Sequence, residues 1–313
     1  MDYLILILGL AILIAGGEIL VKGAVAVALK FNVSILVIGM TVVSFGTSAP
    51  ELLISIKAAL GGHPDISMGN VVGSNIANIS LILGLTTLIL PISVNKDSIK
   101  IDWPIMMLAS LLLYIFILNG ILGPLEGVFL FLSLIIFNVW LIFKSRKENK
   151  KTVVEEGAGL TSESTMPLLK CLLFIALGCI GLLVGADWFL KGAVGIAEGF
   201  GISERIIALT VVAFGTSVPE LITSVIAAIR KQTDISIGNL IGSNVFNILG
   251  ILGITGMVKE INVSNEILFS DMYWMLGISL AMLPLMYFGN KIGRLKGAFL
   301  FIFYIVYILN VIF

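Results

Sequence analysis

Glu51 and Glu220 each stand within a long apolar run, and each sits in the same setting, Gly-Thr-Ser-x-Pro-Glu: Gly46-Thr47-Ser48-Ala49-Pro50-Glu51 and Gly215-Thr216-Ser217-Val218-Pro219-Glu220. An ionisable side chain inside a membrane span is costly and marks a functional site by default. Two ionised carboxylates carry about −2, which neutralises one divalent cation. Proline removes a backbone donor and breaks the i to i−4 ladder, so each span is expected to kink or split, with Pro50 and Pro219 opening a second half-helix. Carbonyl groups near residues 44–47 and 213–216 are then expected to lose their partners. Such carbonyls persist at membrane depth only in a protein-lined or wet cavity, or against an ion.

A second pair of segments supplies more oxygen. They read Gly69-Asn70-Val71-Val72-Gly73-Ser74-Asn75-Ile76-Ala77-Asn78 and Gly238-Asn239-Leu240-Ile241-Gly242-Ser243-Asn244-Val245-Phe246-Asn247. Ser74 and Asn78 are four apart and share a helix face, as do Ser243 and Asn247. Asn70, Asn75, Asn239 and Asn244 read as packing and interhelical hydrogen-bonding residues, and the small neighbours permit close helix approach. Carboxylates, amides, hydroxyls and freed carbonyls suit a hard cation that takes 6–8 oxygen ligands. These motifs hold no histidine or cysteine, which argues against a soft transition metal. From this chemistry calcium, sodium and protons all remain open. An intramembrane enzyme using the two glutamates as acid and base would need a nucleophile or a metal set, and neither is present.

The elements that must position these residues follow from the wider pattern. The chain of 313 residues is 58% hydrophobic and 12% charged, with mean hydropathy +1.12; a soluble domain has about 25% charged residues. Nineteen basic and nineteen acidic residues balance, so nothing points to nucleic acid. An apolar crossing takes about 20 residues, and ten all-α spans are expected at 3–21, 33–60, 66–90, 102–119, 124–143, 168–190, 203–229, 234–256, 269–288 and 295–312. No basic segment precedes the run from Leu4 to Leu20, which reads as the first span rather than a signal peptide. Cys171 and Cys179 lie in one apolar run, about 12 Å apart along a helix, too far for a disulfide. His63, beside Pro64, reads as a surface-loop residue.

The segment from Thr41, TVVSFGTSAPELLIS…DISMGNVVGSNIANI, recurs from Thr210 as TVVAFGTSVPELITS…DISIGNLIGSNVFNI, at a constant offset of 169 residues (41 to 210, 51 to 220, 78 to 247). Five spans per copy is an odd number, so the second copy enters the membrane from the opposite side. Such inverted repeats recur in secondary transporters, with the site near the midplane where the copies meet. The expected division is an N-terminal five-helix repeat over 1–143, a polar cytoplasmic linker over 144–167, and an inverted C-terminal repeat over 168–313, with spans two and seven broken at the midplane. With that linker inside, only Lys57, Lys191, Arg205 and Lys259 of the 19 basic residues fall outside. This bias places both termini outside the cell membrane.

The paired GTSxPE and GNxxGSN segments resemble the two alpha-repeats of the cation/calcium exchanger superfamily, and look most like its archaeal and bacterial sodium/calcium exchangers. The resemblance covers all ten expected helices. It implies an alternating-access antiporter in which sodium influx drives calcium extrusion, with calcium and sodium as transported ions, no cofactor and no enzymatic activity. By position, it implies that Glu51, Glu220, Asn78 and Asn247 form the central ligand set. Thr47 and Thr216 would offer backbone oxygen to calcium. Ser48, Ser74, Ser217 and Ser243 would line sodium sites, completed by the backbone oxygens of Ser44 and Ala213. Some prokaryotic members carry aspartate at one of the two asparagine positions, whereas this chain has Asn78 and Asn247 at both. The first and sixth helices are expected to slide as a pair against the rest. A proton/calcium or potassium-linked exchanger is the alternative. A monomer in the lipid bilayer is expected, and acid is expected to inhibit by protonating the glutamates.

Overall fold

Runs of apolar residues without internal breakers give long helices here, and breaks fall where proline, glycine or a left-handed residue interrupts them. The computed structural model describes residues 1–152, 166–201 and 213–312. In chain order the helices are α1 (Asp2–Phe31), α2 (Ile35–Thr47), α3 (Ala49–Leu60), α4 (Pro64–Ile89), α5 (Ser98–Phe116), α6 (Pro124–Thr152), α7 (Leu168–Gly199), α8 (Ala213–Thr216), α9 (Val218–Ile229), α10 (Thr233–Val258), α11 (Ile267–Tyr287) and α12 (Arg294–Ile312). Four two-residue strands lie between them: β1 (Ile92–Ser93), β2 (Ile121–Leu122), β3 (Ile261–Asn262) and β4 (Lys291–Ile292).

Among the described residues, eight helices are long and apolar enough to cross a membrane, and α2 with α3 makes a ninth, bent by 47°. The opening of the expected seventh span and most of the expected 144–167 linker lie outside the described residues. Helix α6 continues past residue 143 to Thr152, so the polar stretch begins as helix. Helices α1 and α7 also outrun their expected ends at 21 and 190. Lys22 and Lys191, just past those ends, stay on the helix in ion pairs one turn apart, Lys22 with Glu18 at 3.3 Å and Lys191 with Asp187 at 2.7 Å. Asn32 stops α1 in a left-handed cap, φ 51°, a conformation asparagine tolerates.

Helices α4 and α10, which carry the two GNxxGSN segments, form the centre. Their apolar stretches are 78% and 83% buried, against 17–33% for the other six long helices. Around them the outward surface is apolar, with Leu108, Ile136, Leu169 and Ile302 all more than half exposed. Both central helices widen into π-helical turns, Asn78–Ile82 and Phe246–Leu252, a distortion that recurs at functional sites.

Helices α1 and α7 pack along each other in opposite directions. Gly9 meets Phe189, Gly16 meets Gly181 and Gly23 meets Ile175. A Cβ on Gly178 would lie 2.7 Å from Leu20 Cα, and one on Gly185 2.7 Å from Leu13 N, so the backbones touch only because these residues lack side chains. The strands pair crosswise between the two parts of the chain. β1 pairs with β4 (Ile92 with Ile292, Ser93 with Lys291), and β2 with β3 (Ile121 with Asn262, Leu122 with Ile261), both antiparallel. Cys171 and Cys179 are free thiols.

Candidate functional site

The break between α2 and α3 falls at Ser48, before Ala49-Pro50, and that between α8 and α9 at Ser217, before Val218-Pro219. Pro50 and Pro219 sit in the first turns of the new helices, where a missing N–H costs nothing. Glu51 and Glu220 follow in those same first turns, where the helix N-terminus favours negative charge. Both are fully buried.

Nine of the expected ligand residues are buried as well. Ser44, Thr47, Ser48, Ser74 and Asn78 of the first copy are buried, and so are Thr216, Ser217, Ser243 and Asn247 of the second. Ala213 opens α8. The Ser48 hydroxyl donates to Glu220 Oε1 at 2.9 Å, joining the copies directly. The Thr47 hydroxyl lies within reach of Asn239 Oδ1 at 3.1 Å, the Ser44 carbonyl at 3.2 Å and Ser243 Oγ at 3.5 Å. One expectation fails locally. The Ser44 carbonyl is not freed by the break, since it accepts the Ser48 N–H at 2.9 Å. Only Pro50 lacks an N–H, so the carbonyl that loses its helical donor is that of Gly46.

The remaining polar atoms show what the site lacks. Glu51 Oε2, Glu220 Oε2, Asn78 Oδ1 and Asn247 Oδ1 are buried with no hydrogen-bond partner, as is the Ser217 hydroxyl. Among the described residues no lysine or arginine pairs with either glutamate; the ion pairs join Glu18 to Lys22 and Arg230, Asp97 to Lys144 and Asp187 to Lys191. A buried carboxylate without a partner is strongly unfavourable. Two carboxylates and two amide oxygens thus each keep an unused lone pair in the protein, the kind of oxygen a hard cation takes. No group of three or more His, Cys, Asp or Glu able to hold a metal occurs among the described residues.

Asn70 and Asn239 brace this centre as packing residues. Each amide donates to a serine at the equivalent position of its own copy, Asn70 to Ser55 at 3.2 Å and Asn239 to Ser224 at 3.1 Å. Asn75 and Asn244 make the interhelical hydrogen bonds expected of them, and their partners are Asn247 and Asn78 across the copies, at 3.1 and 3.0 Å. The spacing of three residues to Asn78 and Asn247 put them on adjoining faces, but a sequence cannot show contact between the two segments.

Comparison with known proteins follows the same outline. The family described as sodium/calcium exchanger protein matches residues 1–143 and 170–313. A protein of Alkalimonas amylolytica called putative antiporter CaxA is 35% identical over 306 residues, spanning 96% of this chain and 95% of that protein. The sodium/calcium exchanger MaX1 of Methanosarcina acetivorans is 34% identical over 344 residues, spanning 98% and 97%. A solved structure of the sodium-calcium exchanger NCX_Mj, soaked with zero Na+ and Ca2+, superposes with a TM-score of 0.84 at 34% identity, over 99% of this chain and 98% of that one.

Proposed function

The chain belongs to the sodium/calcium exchanger family, and from that premise we propose how its own residues perform the exchange. It is a multi-pass integral membrane protein, an antiporter of sodium and calcium, not an enzyme, and the two ions are its cargo. The observation that supports the site assignment is that both glutamates are buried without an ion-pair partner and that Asn78 and Asn247 each keep a buried amide oxygen without a hydrogen bond.

Glu51 and Glu220 supply the charge. One calcium ion neutralises both, and sodium ions compete for the same carboxylates, so calcium and sodium exclude each other electrostatically. Asn78 and Asn247 add neutral oxygens opposite the carboxylates. Thr47 and Thr216 offer backbone oxygen at the two helix breaks, and Ser48, Ser74, Ser217 and Ser243 line flanking sodium positions with the backbone of Ser44 and Ala213. With asparagine at both amide positions, the glutamates are the acids of this centre.

The proposed architecture is ten spans in two inverted repeats, 1–143 and 168–313, joined by a cytoplasmic linker at 144–167. The seventh span takes in α8 and α9 and, with the eight long helices and the bent pair α2 and α3, makes ten. Three features support inversion: the offset of 169 residues, the opposed directions of the equivalent helices α1 and α7, and the crosswise strand pairs. An odd number of spans per repeat turns the second over and puts both termini on one side, and the bias of basic residues makes that the outside of the plasma membrane; the protein is taken to work as a monomer. The glycine seam joins α1 and α7 into one body that can shift against the central α4 and α10 without unpacking itself.

The test is radiolabelled calcium uptake into sodium-loaded proteoliposomes. Uptake should require the outward sodium gradient and collapse with a sodium ionophore. Uptake driven by a proton gradient would move the protein to the proton-coupled alternative, and uptake with no gradient would make it a channel.

A further inference from the structure

Four asparagines form a closed network where α4 and α10 meet. Asn75 Nδ2 donates to the backbone carbonyl of Asn244 at 3.3 Å, and Asn244 Nδ2 to the backbone carbonyl of Asn75 at 3.4 Å. The same two amide nitrogens reach thioether sulfurs, Met275 Sδ at 3.8 Å and Met106 Sδ at 3.6 Å. Carbonyl oxygens and thioethers accept and cannot donate. Each of these two side chains must therefore turn its NH2 group toward the opposite backbone and its oxygen away from it.

Those two oxygens are themselves acceptors only. Asn247 Nδ2 donates to Asn75 Oδ1 at 3.1 Å, and Asn78 Nδ2 donates to Asn244 Oδ1 at 3.0 Å. Asn78 and Asn247 must then also point NH2 into the network, which leaves Asn78 Oδ1 and Asn247 Oδ1 as the two unpartnered amide oxygens of the site. All four side chains are buried, so the amide orientations follow from their protein partners. The orientation of every amide traces back to two backbone carbonyls that cannot be turned around. A flipped Asn78 or Asn247 would set oxygen against oxygen in the network and N–H against the cation.

We propose that Asn75 and Asn244 are positioning residues for ion exchange, which lock the Asn247 and Asn78 amides with oxygen toward the transported cation and exclude the flipped form. The proposal rests on the reading of Asn78 and Asn247 as ligands. It makes the network a selectivity device: without it, each amide could present its NH2 end, and a cation would meet partial positive charge.

The test is a double-mutant cycle read by calcium KM in proteoliposomes, with folding followed separately by thermal unfolding in detergent without ions. Asn247→Ala and Asn75→Leu should each raise KM by about tenfold, the effect of losing one well-placed polar contact. The double variant should match Asn247→Ala alone, because Asn75 acts only through that amide. A residue that merely stabilised the helix contact would add its effect to that of the ligand change. Additive effects, or a wild-type KM for folded Asn75→Leu beside a raised KM for Asn247→Ala, overturn the positioning role and leave the ligand reading standing. A wild-type KM for Asn247→Ala removes both. Should Asn75→Leu fail to fold, the equivalent cycle of Asn244→Leu with Asn78→Ala asks the same question on the other copy.

Discussion

Helix α9 is covered and its equivalent α3 is not. Ile226 of α9 is 8% exposed and lies against Gly17 of α1, where a Cβ would stand 3.0 Å from Ile226 Cδ1. Beyond it Arg230 ion-pairs with Glu18 of α1. At the equivalent positions α3 presents Lys57, exposed, and Gly61, and Leu53, equivalent to Ile222, is 50% exposed. Asp187, the equivalent of Glu18, pairs with Lys191 on its own helix. Two copies with one plan of helices thus close differently around the same centre. The plan sets where the ions sit, and a few contacts unlike between the copies set which flank of the centre is sealed.

At the centre the copies should behave alike. Glu51→Gln and Glu220→Gln should each cut calcium uptake by roughly a hundredfold or more, since each removes one of two buried charges that hold a desolvated ion. Acidification should imitate both changes by protonating the same groups. Uptake in proteoliposomes checks this, and a variant of either glutamate that keeps wild-type uptake would show that the centre belongs to one copy.

A smaller difference separates the two serines at the helix breaks. Ser48 donates to Glu220, whereas the Ser217 hydroxyl is buried without a partner. Ser48→Ala should destabilise the ion-free protein by about 2 kcal/mol, the scale of a hydrogen bond to a charged group, and Ser217→Ala should leave it nearly unchanged. Thermal unfolding in detergent reads both, and the reverse order would mean that the asymmetry between the copies is misassigned.

The smallest effect concerns the seal. Arg230→Gly places glycine where the first copy has Gly61 and removes the link to Glu18. Amide hydrogen exchange along residues 222–229 should rise by about threefold, as expected for a half-exposed ion pair, with no change along α3. Equal change in both helices would show that α1 does not close one flank selectively.

Much of this was legible in the sequence because charge is conspicuous inside apolar runs. Glu51 and Glu220, the proline breaks after Ser48 and Ser217 and the serine and asparagine positions all stand out against valine, isoleucine and leucine. Helix length was less legible. Lys22 and Lys191 look like span ends, but each is held by an acid one turn earlier, and the small residues after Lys22 continue α1 to Phe31. The freed carbonyl was legible only as a stretch, 44–47, because the missing N–H of Pro50 singles out Gly46 while Ser44 keeps its donor. The part played by Asn75 and Asn244 was hidden for another reason. Their partners lie 172 and 166 residues away, and periodicity along one helix carries no information about a contact between two.

The crosswise strands have a consequence for how the protein is made. Each strand of the first half, β1 and β2, finds its partner in the second, β4 and β3, and α1 finds the backbone groove it fills on α7. A ribosome that has released the first half into the bilayer has delivered two strand edges and a glycine-lined helix with nothing yet to meet them. Synthesis proceeds at about 5–20 residues per second, so that unfinished product waits roughly ten seconds or more for its mate. A chain cut short at the linker stays unfinished and is a ready substrate for membrane proteases, whereas two half-chains supplied together carry every surface needed to find each other.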